Sequence, residues 1–530
     1  MSTKPTNYLL PVYLSVALVL GGLIGHFTHR GVDGERLKNL EAANKIYEVL
    51  NILDQNYVDD INKDSLFNAS INDLLHKLDP HSNYIPASQV ARLKESIEGK
   101  FGGIGVRFFI YGDTICVTNV IENTPAFRAG LLSGDRIVKI SGENVAGIGI
   151  QNETVMNLLK GVSGSEVELT VLRNNAEIPF KFNRGTVPIS SIGCSYMLDS
   201  ITGLIQIDQF SIPTHEEFRQ AAKLLLSQSM KQLIVDLRNN GGGVMESAVR
   251  IVDEFLSEGQ LIVSAQGKHF DTQNIYSTKA GMLENMPLVI LINEYSASAS
   301  EIVAGAIQDN DRGVILGKTS FGKGLIQEDQ NMKDGSNLRV TVARYYTPSG
   351  RCIQRPYSDL SYEEYLKGGA SSYNTDDSIR NGFPDSLKFK TVYKKRTVYG
   401  GGGIYPDIYL ERDTTLYSAF FLNARLVGAF TAFSFDYLRN KRQKWKNFSA
   451  FKSDAEITSF NVDSFYAFCE KEYRLFMLER ETEANIKLLR KWIIAEIARQ
   501  LWIENGFYQI MNETEPAVLK ARQVLKKYPF

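Results

Sequence analysis

Cysteine is scarce in this sequence. Four occur among 530 residues, Cys116, Cys194, Cys352 and Cys469, and they lie far apart. No CxxC pair and no Cys/His cluster is present, so a zinc site is not expected, and nothing calls for another metal or a cofactor. The spacing leaves their oxidation state open. Net charge is nearly absent as well: 59 Lys and Arg against 60 Asp and Glu leave −1. That balance argues against a nucleic-acid binder held by phosphate contacts. Histidine is thin, with six residues at 26, 29, 76, 81, 215 and 269, none in a glycine-rich loop. Internal repeats and low-complexity linkers are missing. What is plentiful is apolar surface: 43% hydrophobic and 11% aromatic residues build real cores and exclude a disordered chain.

Charge is also missing from one stretch near the start. No Asp, Glu, Lys or Arg occurs between Tyr8 and Phe27, and LLPVYLSVALVLGGLIGHF is about as long as a bilayer core requires. It reads as an uncleaved membrane anchor or a cleaved export signal. No A-x-A cleavage site follows, which favours the anchor, and on either reading the body is exported. Lys4 before the segment and Arg30 after it give only a weak orientation signal.

The rest divides by texture. Residues 31–98 read as helical: Leu37, Leu40, Ala43, Ile46, Tyr47, Leu50 and Leu53 fall at helical spacing, and a second helix covers 64–78 before the LDPHSNYIP turn. Residues 99–188 change to short β-runs with glycine turns and two short helices near 125–130 and 152–161. Residues 189–412 alternate apolar strands (203–210, 231–238, 287–293, 314–317, 338–346) with amphipathic helices, which implies a βα-layered, partly parallel sheet. Residues 413–530 are helical and carry no motif; they read as a packing or dimerisation extension. The fold class is therefore α/β multidomain.

Chemistry concentrates in three short stretches. NEYSASASEIVAG (293–305) places Ser296, Ser298 and Ser300 before an apolar helical face. Ser298 followed by Glu301 forms a capping box. The same position would suit a nucleophile, because N–H groups at a helix start can hold an oxyanion. A serine needs a base, and no histidine stands nearby. A buried lysine is the other route, since burial lowers its pKa. Lys323 in TSFGKGLIQ has flanking glycines, apolar neighbours Phe321, Leu325 and Ile326, and Gln327 four residues on. The plain alternative is a solvated lysine in a glycine turn. In DLRNNGGGV (236–244) an apolar strand ends in glycines: either a tight turn, or a loop in which Gly242 or Gly243 offers an N–H to the same oxyanion as Ala299. GVILGKT (313–319) imitates a phosphate-binding loop but is one residue short between its first glycine and GK, so nucleotide binding is set aside.

Taken together, LDPHSNYI, FGGIGV, DLRNNGGG, NEYSASASEIVAGA, GKTSFGKGLIQ, YYTPSGRCIQ and GGIYPDI resemble, in order, the C-terminal processing peptidases, or tail-specific proteases. The resemblance spans about Leu78 to Ile408. It implies a crotonase-like peptidase core carrying a PDZ domain and a Ser/Lys dyad. Ser298 would be the nucleophile, Lys323 the base and Gln327 the residue that orients it; Ala299 and a glycine of 241–243 would donate to the oxyanion. The family often has proline where Gly241 stands. Residues 99–188 resemble a PDZ domain, in which Gly102, Gly103, Ile104, Gly105 and Val106 would bind a peptide's terminal carboxylate. The expected partners are protein C-terminal tails and, through the first segment, a membrane; a homo-oligomer is left open. The expected place is a bacterial inner membrane with the body in the periplasm or another extracytoplasmic space. Two rival readings are a non-catalytic PDZ scaffold and an acyl-CoA enzyme on a related fold.

Overall fold

A computed structural model describes residue 45 and residues 48–279, 281–367, 384–411, 417–477 and 481–527. The apolar run at 8–27 lies outside them, and no described helix is long and apolar enough to cross a membrane. Contacts divide the chain into two units, 1–78 and 79–530. In the first, helix 48–56 is followed by helix Lys63–His76, whose start is capped by the Asn62 side chain accepting from the Ser65 N–H.

The second unit begins with the DPHS turn, a short strand Asn83–Ile85 and a helix Ala87–Glu98. Gly99 ends that helix in the left-handed region (φ 66°), which lets the chain reverse at once into strand Lys100–Gly103. A small antiparallel module follows. Its sheet runs Val106–Ile110, Ile115–Val120, Arg136–Ile140, Glu166–Arg173 and Ala176–Asn183 in spatial order. Ile115, Val117, Ile137 and Val171 are fully buried beneath helix Asn152–Leu159. Strand Val106–Ile110 is an edge, paired on one side only among the described residues.

The core is built on a six-stranded sheet in the order Ile192–Met197, Thr202–Ile207, Gln232–Asp236, Leu288–Ile292, Val314–Gly317 and Ile408–Tyr409. The first pair is antiparallel and the others are parallel. The continuous apolar runs QLIVD, LVILI and VILG are buried throughout, as strands covered on both faces must be. Helices Thr214–Ser227, Met245–Asp253 and Ala299–Asp309 cover one face. The strand–helix alternation expected for 189–412 is present.

A second, antiparallel sheet stands beside it, in the order Asn83–Ile85, Asn337–Tyr346, Leu261–Gly267, Phe270–Tyr276, with Leu325–Asn331 also paired to Asn337–Tyr346. The hairpin 261–276 was not among the expected strands. Its outer strand alternates weakly and is largely exposed, so its period-2 signal is faint.

The helical segment after 413 has two destinations. Most of it closes an aromatic core of its own around Phe430, Phe433, Phe465 and Trp492. The last helix, Pro516–Lys527, instead covers the other face of the six-stranded sheet: Val518, Ala521 and Leu525 pack on Leu204, Ile234, Leu291 and Leu316. Burial of each Val or Leu there contributes about 1.5–3 kcal/mol. Arg238 joins its Nη1 to Glu515 (2.6 Å), and Arg522 joins Asp199 (2.7 Å). The extension is thus partly a layer of the core. The four cysteines remain free thiols.

Candidate active site

Open α/β sheets place reactive groups beyond the carboxyl ends of their strands. Strand Leu288–Ile292 delivers NEYSASAS there, and strand Gln232–Asp236 delivers RNNGGG. Asn240 sews the two loops together. It is fully buried; its carbonyl accepts from the Ala297 N–H (3.0 Å) and the Ser300 hydroxyl (2.9 Å). Its side-chain nitrogen donates to the Ile207 carbonyl (2.8 Å) and its side-chain oxygen accepts from the Gly242 N–H (2.8 Å). Ser296 donates to the Leu237 carbonyl (2.8 Å) and accepts from the Asn293 N–H (3.0 Å). The outer two serines therefore serve the turn and the first helical turn.

Ser298 differs from both. It sits between strand and helix at φ 56°, ψ −113°, a strained conformation for a residue with a Cβ. Strain of this kind costs on the order of 1–3 kcal/mol and persists only where the surroundings impose it. The Ser298 N–H donates to Glu301 Oε2 (2.8 Å), the carboxylate half of the expected capping box. The Ala299 N–H has no partner among the described residues. Gly242 presses on this corner: a Cβ there would lie 2.7 Å from the Ala297 carbonyl oxygen, 2.8 Å from Ser298 Cβ and 3.0 Å from the Ala299 nitrogen. Of the two expected glycine donors, Gly242 has its N–H turned to Asn240, whereas the Gly243 N–H is unpartnered among the described residues.

Lys323 arrives from the second sheet, in the loop before strand Leu325–Asn331. The YYTPSGRCIQR segment holds that loop. Gln354 Oε1 accepts from the Gly324 N–H (2.8 Å), and the Arg355 N–H donates to the Gly322 carbonyl (2.9 Å). Glu301 binds it from the other side. This buried carboxylate accepts from the N–H groups of Gly322 (2.7 Å) and Lys323 (2.9 Å) and from the Ser320 hydroxyl (2.6 Å), besides Ser298. Burial pushes Glu301 up to about 7, against the pull of those donors. The Tyr345 hydroxyl donates to the Lys323 carbonyl (2.5 Å) and lies 3.2 Å from that of Ser298. Serine corner and lysine loop thus share one carboxylate and one phenol.

Ser298, Gly242, Gly243, Lys323, Gln327 and Tyr345 all line a single cavity of about 570 Å³. Leu93, Ile97, Phe210, Ile302 and Leu325 give it apolar walls. Burial, and then the charge of Arg339, lower Lys323 to about 8; Glu301 and Asp79 pull the other way. An amine in that range is partly neutral near neutral pH and can take a proton. No hydrogen bond joins Ser298 Oγ to Lys323 Nζ. Gln327 donates its amide to Thr341 Oγ1 (3.3 Å) and not to Lys323. Sequence reasoning did not single out Asn240, Tyr345, Gln354 or Thr341, though three of them lie inside the motifs already quoted, and it read Glu301 only as a helix cap. The FGGIGV loop is elsewhere, in the antiparallel module. There the carbonyls of Ile104 and Gly105 accept from Ala126 and Ile121, while the Ile104 and Gly105 N–H groups are unpartnered among the described residues.

Residues 201–359 match the model of peptidase family S41, residues 102–183 that of the PDZ domain, and residues 421–503 that of a family of unknown function. The carboxy-terminal-processing protease of Bartonella bacilliformis is 32% identical over 360 residues, which cover 67% of this chain and 81% of that protein. A probable CtpA-like serine protease of Staphylococcus aureus is 33% identical over 62% of this chain and 66% of its own. Among solved structures, a photosystem II D1 C-terminal processing protease aligns at 28% identity over 58% of this chain and 89% of that one, with a TM-score of 0.33.

Proposed function

The chain belongs to peptidase family S41, among the carboxy-terminal-processing proteases, and from that premise we propose that it cleaves protein substrates near their C-termini through Ser298 and Lys323. The observation that carries this reading is the one cavity shared by a strained serine and a lysine whose charge burial disfavours. Neutral Lys323 takes the proton of the Ser298 hydroxyl as Oγ attacks the scissile carbonyl carbon. The electron pair of the C=O moves to oxygen, where the N–H groups of Ala299 and Gly243 hold it. The intermediate collapses, the C–N bond breaks, and Lys323 returns its proton to the departing amine. Lys323 then deprotonates a water, which hydrolyses the ester at Ser298. Such contacts are often long in an empty site and shorten around substrate. The lack of a hydrogen bond between Ser298 and Lys323 therefore fits a resting site that closes on a peptide.

The PDZ domain recruits the substrate tail. The free N–H groups of Ile104 and Gly105 suit a terminal carboxylate, with Gly102 and Gly103 leading into the loop and Val106 opening the edge strand that pairs with the peptide. The uncharged run at 8–27 supports an exported, membrane-anchored protein with its body outside the cytoplasm. The test is cleavage of a C-terminally tagged protein by the full chain. Ser298→Ala and Lys323→Ala should each fall to background while retaining the wild-type melting temperature. Most of the activity surviving in either variant would overturn the dyad.

A further inference from the structure

The DPHS turn makes no hydrogen bond to Ser298 or Lys323, yet it is bonded into the lysine side of the cavity. Asp79 is buried, 6% exposed. Its Oδ1 accepts from the N–H groups of His81 (2.8 Å) and Ser82 (2.8 Å) and from the Thr341 hydroxyl (3.0 Å). Its Oδ2 accepts from the Ser82 hydroxyl (2.6 Å), and Ser82 Oγ in turn accepts from the Thr341 N–H (3.0 Å). Thr341 stands opposite Gln327 across the strand pair, next to a bulge, and Gln327 Nε2 donates to Thr341 Oγ1 (3.3 Å).

The polarity of this chain is forced. An ionised carboxylate only accepts. The single hydroxyl hydrogen of Thr341 is spent on Asp79, so its oxygen has only lone pairs for Gln327. Gln327 must therefore present its NH₂ group to Thr341. That leaves Oε1, which has no partner among the described residues, as the acceptor available on the cavity side. The two ends of a carboxamide are nearly the same shape, and only such a network decides which way it points. An oxygen toward Lys323 accepts an N–H from the amine and aims its lone pair elsewhere. An NH₂ in that place could accept nothing from it.

We propose that Asp79 and Thr341 are positioning residues that set the orientation of the Gln327 amide and, through it, of the Lys323 amine. The inference rests on the dyad reading given above. The charged groups around Lys323 are Arg339 on the adjoining strand, Asp79 in the turn and Glu301 on the helix; His81, beside the lysine, is held neutral by burial and by the Lys323 and Arg355 charges, down to about 3.

The test uses Thr341→Val, which removes the hydroxyl and keeps the shape, in the full chain. Its kcat should fall about tenfold or more at unchanged KM. The alkaline-rising limb of kcat/KM, set by Lys323, should also move to lower pH. A freed amide can turn its N–H toward the amine, which then loses an acceptor for its protonated form. Thr341→Ser should restore both. A fold defect alone would not move the limb. If Thr341→Val is poorly folded, a double-mutant cycle decides: in a Gln327→Leu background the loss of the Thr341 hydroxyl should cost no further activity. Unchanged kcat and limb in Thr341→Val, or full additivity in the cycle, overturns the relay. Ser298→Ala and Lys323→Ala run alongside: if they are dead while Thr341→Val is normal, the relay fails and the dyad stands, whereas activity in either removes the dyad itself.

Discussion

The two sides of the cavity are held in different ways. The serine corner stands on the parallel sheet and its main chain is locked in place: the side chains of Asn240, Ser296 and Ser300 bond backbone groups of neighbouring loops, and Gly242 leaves no room at Ser298. The lysine side stands on the antiparallel sheet; Gln354 and Glu301 bond its backbone in the same way, but beyond them a chain of side chain-to-side chain bonds runs from Asp79 through Thr341 to Gln327. A corner fixed by backbone contacts either forms or fails. A group steered by side chains can be detuned by degrees. Serine-side changes should therefore behave as switches, and lysine-side changes as adjustments.

The sharpest break of that comparison is Gly242→Ala. At φ 100° and with the Ala297 oxygen 2.7 Å from a new Cβ, the corner must shift, and kcat/KM should drop about 100-fold or more in a peptide assay. Its neighbour Gly241 has nothing within 4 Å of a Cβ, so Gly241→Ala should stay within about twofold of wild type. Asn240→Ala strands several buried partners, each worth about 1–3 kcal/mol when unsatisfied. It should lower the melting temperature by several degrees and take activity with it. On the other side, Tyr345→Phe removes one hydroxyl between the two carbonyls; a loss of about 1 kcal/mol in stability and a graded fall in kcat are expected by denaturation and kinetics. The smallest effect belongs to Arg339→Gln. Wild-type kcat/KM should rise with pH through about 8 as Lys323 loses its proton. Arg339 favours the neutral amine, so its removal should move that limb upward. The shift should stay below about one pH unit, because Asp329 already pairs with the guanidinium at 2.7 Å.

Much of this was legible in the sequence, for reasons that also mark where it stopped. Buried parallel strands are continuous apolar runs, so QLIVD, LVILI and VILG declared themselves. Ser298 and Lys323 stood out only in combination, since a serine at a helix start or a lysine among glycines is ordinary alone and the ordered set of motifs is what resembles a peptidase; the structure places both on one cavity. The support around them was hidden. Asp79 and Thr341, or Asn240 and Ala297, meet only after the chain folds, and no local period reports it. The same blindness applies to Gln327, whose amide bonds to the cross-strand Thr341. It applies to Gly242 too, whose N–H is taken by a side chain two residues away. The last helix read as an appendage because its amphipathic pattern says that a face is buried, not against what.

That helix also orders events in time. The sheet that carries both candidate loops has its strands in place by Tyr409, yet Leu204, Ile234, Leu291 and Leu316 face water on one side until residues 516–527 have been made. A ribosome must add about a hundred residues between the two. During that interval the strand ends behind the serine and glycine loops lack half their support, and Arg238 still awaits Glu515. The sheet behind the candidate loops is thus complete only with its C-terminal helix, and a chain shortened before residue 516 should lose stability and cleavage together.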